Sequence, residues 1–202
     1  MRYSAKRDFE FDTFSFKDSV SISQWFDVWD IKEPECKEEL MIPGLQESIA
    51  QISEIIEEEA KIVSMDKIIL GGISQGCATA ILTLLNSDLG LGGFIGLSSW
   101  LPLHRNIQNL DTILQKSKID PKAYYLGISL RRLSIRRKTP ILFTHSRNDE
   151  TVPFAHGEAL RETIKRQGYN VVWKEYEDGI HWINPDHGVD DISAFIHTCW
   201  GI

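Results

Sequence analysis

Apolar residues recur at spacings of three and four in one early stretch: Ile49, Ile52, Ile56, Ala60 and Val63. Glu54, Glu57, Glu58 and Lys61 fall between them. This period predicts an amphipathic helix starting at Pro43-Gly44, with the glutamates as its solvated face rather than a cation site. The pattern then changes. Residues 68–70 form a short, fully apolar run ahead of two glycines, the pattern of a strand buried on both faces of a parallel sheet. A helix over 75–85 follows, then a strand within "GGFIGLS" (92–98) and another in "PILFTH" (140–145). A helix over 154–167, the strand "VVWKEY" (171–176) and a helix over 189–199 complete the series. Strands alternating with helices at these intervals predict an α/β fold, with a mainly parallel sheet flanked by helices.

Two segments interrupt this rhythm. Residues 1–40 are rich in aromatics but irregular; Phe9, Phe11, Phe14 and Phe16 alternate briefly, as in a short strand. Residues 102–139 carry Pro102, Pro121 and the basic cluster Arg131, Arg132, Arg136, Arg137 and Lys138. They are read as a surface excursion or cap over the sheet. The cluster is either a solvated loop or a surface for anionic membrane or an acidic partner.

At 202 residues the chain is expected to form a single domain (1–202) with a sizeable core. The formal net charge of -7 argues against a nucleic-acid binder. The three cysteines (Cys36, Cys77, Cys199) show no C-x-x-C pair and no zinc spacing, so neither a disulfide scaffold nor a metal site is expected. A reducing compartment fits that usage. The N-terminal segment "MRYSAKRDFEFDTF" has no apolar region of a secretory signal, and no apolar run reaches the about 18 residues of a membrane span. A cytoplasmic protein without stable membrane insertion is the expectation.

Candidate chemistry centres on Gly72-Ile73-Ser74-Gln75-Gly76, a G-x-S-x-G match with a predicted strand before it and a helix after it. Such a turn is tight enough that side chains two residues either side of the serine would collide. The helix beginning beneath Ser74 would aim N–H groups at developing negative charge, with the Gln75 N–H as one oxyanion donor. A serine hydroxyl needs a base, and the base an orienting carboxylate, each in a loop after a strand. "FTHSRNDETVP" places Asp149 after the third strand, and "YEDGIHWINPDHG" places His181 after the fourth. Glu150 and Asp178 compete for the acid; His187, farther along the same loop as His181, is the main rival base. His145 is read as bracing the acid loop. His104 lies in the excursion, and His156 and His197 fall on helices.

These motifs, together with "WFDVWDI" and "GGFIGLSSWLPL", resemble the acyl-protein thioesterase and carboxylesterase branch of the α/β-hydrolase superfamily, in the form of its fungal members. The resemblance runs from about Trp25 to the C-terminus and weakens in the basic excursion. It implies an α/β-hydrolase fold and a Ser74-Asp149-His181 triad that hydrolyses acyl thioesters or carboxylic esters. Palmitoylated proteins and small acyl esters are the implied substrates, without metal or organic cofactor. Trp100 and Leu101 match the region lining the family's acyl channel; a place in the core is the competing reading for Trp100.

One departure stands out. The fold's second oxyanion donor comes from a loop after an earlier strand, often a His-Gly segment. Upstream of Gly71 the chain has one glycine, Gly44, and no histidine, while "RYSAKRD" resembles the strand that follows that loop. The expectation is therefore a chain that begins inside the fold, without the first strands. Loss of one oxyanion donor costs about 2.7–4 kcal/mol of transition-state stabilisation, which predicts weakened activity. An exposed sheet edge would favour a homodimer. The alternative is an impaired remnant that acts as a binding or interaction protein.

Overall fold

The computed structural model of the chain describes residues 8–9, 22–86, 90–104, 107 and 139–202. The basic cluster, most of the 102–139 excursion, and the strand signal at Phe11, Phe14 and Phe16 lie outside these residues.

The helices and strands follow the predicted series. A two-residue ribbon pairs β1 (Asp8–Phe9) antiparallel with β2 (Ile22–Ser23). After a 3-10 turn (Glu38–Leu40) come α1 (Met41–Glu59), β3 (Ile69–Ile73), α2 (Gln75–Asn86) and β4 (Gly93–Leu97). Then follow β5 (Ile141–Ser146), α3 (Phe154–Arg166), β6 (Val171–Tyr176) and α4 (Gly188–Trp200). β3, β4, β5 and β6 lie side by side in that order, all parallel. All four therefore point their carboxyl ends at one edge, where ligands and catalytic groups collect in open α/β sheets.

The alternation of side chains along β4 and β5 splits the core in two. Phe94, Ile141 and Phe143 face α1, α2 and α3, and join Leu45, Ile49, Leu82, Leu160 and Ile164 in the larger cluster. Ile95 and Leu142 face the other way, against Phe195 of α4. Helix α2 lies between α1 and the sheet, so every residue from 77 to 85 is buried. Opposite, Tyr176 OH donates to Asp191 Oδ2 (2.9 Å) and Lys174 pairs with Asp191 Oδ1 (2.7 Å), which ties β6 to α4.

Two expectations change. β3 runs on through both glycines to Ile73 and is half-buried, with Gly71 exposed. Among the described residues it has one strand neighbour, β4, whereas β5, with strands on both sides, is buried throughout. Val63 does not extend the apolar face of α1: the helix ends at Glu59 and Val63 is 43% exposed. Ile49, Ile52 and Ile56 are buried as expected. Phe26, from the described part of the irregular segment 1–40, is fully buried and contributes to the core.

Candidate active site

Ser74 occupies the single residue between β3 and α2, with φ of 53°. A non-glycine residue in the left-handed region is a strained conformation that clusters at functional sites. It is held there from three sides. Its N–H extends the ladder by donating to Leu97 O (2.9 Å), and its carbonyl accepts the first turn of α2 from Ala78 N–H (3.0 Å). The Ser99 hydroxyl also donates to that carbonyl (2.8 Å).

The two glycines are not equivalent. A Cβ on Gly72 would stand 2.6 Å from Cys77 N and from Gly76 C, both backbone atoms that cannot yield. On Gly76 it would meet only the Trp25 indole nitrogen, at 3.4 Å, an ordinary contact. The steric demand expected on both sides of the serine therefore falls on Gly72 alone. Gly72→Ala is expected to lose at least about 1–3 kcal/mol from overpacking, read as a lower urea midpoint, whereas Gly76→Ala stays close to the parent. Cys77 lies directly beneath the turn; burial pushes its thiol up to about 12, so it is a packing residue and no rival nucleophile.

Gln75 is the first residue of α2, so its N–H has no partner within the helix and can serve as an oxyanion donor. Its side chain has a second task that sequence reasoning did not reveal. Gln75 Oε1 accepts from Trp25 N–H (2.8 Å) and Nε2 donates to Phe26 O (2.8 Å), as a neighbouring strand would. Ser48 of α1 donates to Trp25 O (2.6 Å). Gly44 lets α1 approach Phe26 so closely that a Cβ would lie 2.6 Å from its Cα. The Trp25–Phe26 segment is thus clamped between α1 and the serine turn. The only nearby signals in the sequence are the lone upstream glycine and a glutamine after the serine.

Acid and base meet at the same sheet edge. Asp149 follows β5 and is 6% exposed. Its Oδ1 accepts from Thr151 N–H (3.0 Å) and Val152 N–H (2.9 Å), leaving Oδ2 to accept from His181 Nδ1–H (2.8 Å). A carboxylate only accepts, so this bond fixes the His181 tautomer with Nε2 free to take a proton. The two loops are stitched at two further points. Arg147 N–H donates to Tyr176 O (2.8 Å), and Asn148 Oδ1 accepts from Ile180 N–H (3.0 Å). Ile180 has φ of 50°, a second strained residue, next to the proposed base. Among the described residues the Ser74 hydroxyl forms no hydrogen bond to His181. Such bonds are often long before substrate binds.

The rivals occupy other places. His187 precedes α4 and its N–H donates to Asn184 Oδ1 (2.8 Å). Glu150 and Asp178 are exposed. His156 Nε2 bonds Lys32 O (3.1 Å), His104 lies 3.9 Å from Glu35, and His197 sits in the last turn of α4. Trp100 and Leu101 are buried, and Trp100 packs edge-to-face on Phe26 with centroids 6.1 Å apart, which is the core reading of that residue. A cavity of about 620 Å³ opens at the opposite, amino-terminal edge of the sheet, between Lys67, Pro140, Val172 and Phe195. None of Ser74, Asp149 and His181 lines it. Among the described residues no three His, Cys, Asp or Glu side chains converge as a metal site, and no helix is long and apolar enough to cross a membrane.

Comparison with known proteins bears on the family and the fold. The sequence profile of the phospholipase/carboxylesterase family matches residues 14–119 and 124–200. Acyl-protein thioesterase 1 of Gibberella zeae is 31% identical over 131 residues, 65% of this chain and 47% of that protein. The chain thus matches about half the length of that relative. Acyl-protein thioesterase 1 of Yarrowia lipolytica is 25% identical over 181 residues, 88% of this chain and 68% of that protein. In fold, the chain resembles Arabidopsis thaliana SOBER1 (TM-score 0.66, 23% identity, 90% of this chain and 76% of that one). It also resembles Zea mays acyl-protein thioesterase 2 (TM-score 0.63, 24% identity, 90% and 74%).

Proposed function

Because the chain belongs to the phospholipase/carboxylesterase family, we propose that it is a serine hydrolase of acyl thioesters or carboxylic esters, with Ser74, Asp149 and His181 as its triad. Acylated, and in particular palmitoylated, proteins and small acyl esters are the proposed substrates, as the names of the fungal relatives suggest. The observation that carries the reading is the His181–Asp149 hydrogen bond, 2.8 Å long, at the sheet edge where Ser74 is held in its strained turn.

His181 Nε2 takes the Ser74 hydroxyl proton as Oγ attacks the acyl carbonyl. The resulting oxyanion is met by the Gln75 N–H at the start of α2. On collapse the carbon–sulfur or carbon–oxygen bond breaks, and the proton on His181 passes to the leaving thiolate or alkoxide. Water, deprotonated by the same imidazole, then attacks the acyl-serine; the bond from the carbonyl carbon to Ser74 Oγ breaks, the fatty acid leaves, and the proton on His181 returns to Oγ. Asp149 stays ionised and holds the ring in the tautomer that can accept the proton. The reading is tested on the purified full chain with a fluorophosphonate probe and an S-palmitoyl peptide. Covalent labelling with release of fatty acid and free thiol is expected; absence of both overturns it.

A further inference from the structure

We propose that His145 is a positioning residue for the acid–base pair: its Nε2–H holds the turn that aims Asp149 at His181. The proposal rests on the reading of Asp149 and His181 as acid and base.

His145 lies near the end of β5 with 1% of its surface exposed. Its Nε2–H donates to Val152 O (3.0 Å) and stands 3.4 Å from Asp149 Oδ2. Val152 N–H in turn donates to Asp149 Oδ1, and Asp149 Oδ2 receives the His181 proton donor. A continuous path of contacts therefore runs from the His145 ring through Val152 and Asp149 to His181. Nothing in it is loose. A Cβ on Gly157 of α3 would lie 2.3 Å from His145 Nδ1, so the helix backbone closes off the far side of the ring. Phe154 packs edge-on to it at 5.7 Å and Trp173 lies at 6.4 Å.

An apolar side chain would fill this space without the cost of burying an imidazole. What it would lack is the N–H. That group satisfies a buried carbonyl, and its positive end lies beside the oxygen that faces His181. Burial pulls the His145 pKa below its ordinary value, so the ring is neutral and adds no cation to compete with His181 for the carboxylate.

His145→Phe keeps an aromatic ring and removes the donor; His145→Gln keeps an N–H within reach of Val152 O. Two readouts separate positioning from packing: the low-field proton NMR signal of the His181 Nδ1–H, and the division of any loss between kcat and KM. In H145F the signal is expected to broaden or vanish, with kcat down about tenfold and KM within about twofold. H145Q restores both towards the parent. An H145F enzyme with signal and kcat intact overturns the proposal, as does an H145Q enzyme that loses as much as H145F. If H145F does not fold, H145Q decides alone, a retained signal supporting the proposal and a lost one overturning it. The signal needs only the paired side chains, so an inactive parent protein would sink the hydrolase reading and leave this test in force.

Discussion

Replacement of Ser74 by alanine is expected to lower kcat on the order of 10⁶-fold and to abolish fluorophosphonate labelling. The size of the loss follows from what remains. Asp149 and His181 would keep their hydrogen bond and the Gln75 N–H its place, but no protein atom would be left to form the acyl intermediate. KM for a small ester should change little, since the missing hydroxyl contributes mainly in the transition state. Stability should not suffer: the bonds that hold the turn use the Ser74 N–H and carbonyl, which alanine retains. A small gain in thermal midpoint would even fit. Labelling of Ser74→Ala at the parent level would remove the serine from its proposed role.

Asp149→Asn is expected to cost about 10⁴-fold in kcat at neutral pH, through the tautomer rather than through charge alone. Asp149 Oδ1 is fixed by the N–H groups of Thr151 and Val152, so an asparagine must place its carbonyl oxygen there. Its NH2 then points at His181 Nδ1, where Oδ2 now accepts at 2.8 Å. Two donors cannot share that contact. His181 is forced to accept at Nδ1 and carry its proton on Nε2, where it cannot take the one from Ser74. The protein should fold and show a His181 ring with inverted tautomer by nitrogen NMR. Full activity in this variant would exclude Asp149 as the orienting acid.

Much of the candidate site was legible because its signals are local. Ser74 announces itself through Gly72 and through the apolar runs on either side, and Asp149 through its place in the loop after β5. His181 and His187 share one loop, and apart from the family resemblance no spacing separates them. In the structure His181 meets the Asp149 carboxylate, while Asn184 accepts from the His187 N–H. The half-exposed β3 was misread because apolar residues in a short strand do not reveal how many strands lie beside it. Val63 was misread because the three-and-four spacing continues past the point where α1 ends. The Gln75 clamp on Trp25 and Phe26 was not legible at all, since neither partner carries a motif for the other.

That clamp joins residues 50 positions apart in the chain, and the Asp149–His181 bond spans 32. Closing loops of this length loses chain entropy before the contacts repay it, so these contacts form with the tertiary fold rather than within any one element. The helices and the β3–α2 turn can form from neighbours, but the Gln75 side chain finds its acceptor and donor only after the Trp25 segment has come home. The candidate site therefore exists only once distant segments of the chain have met.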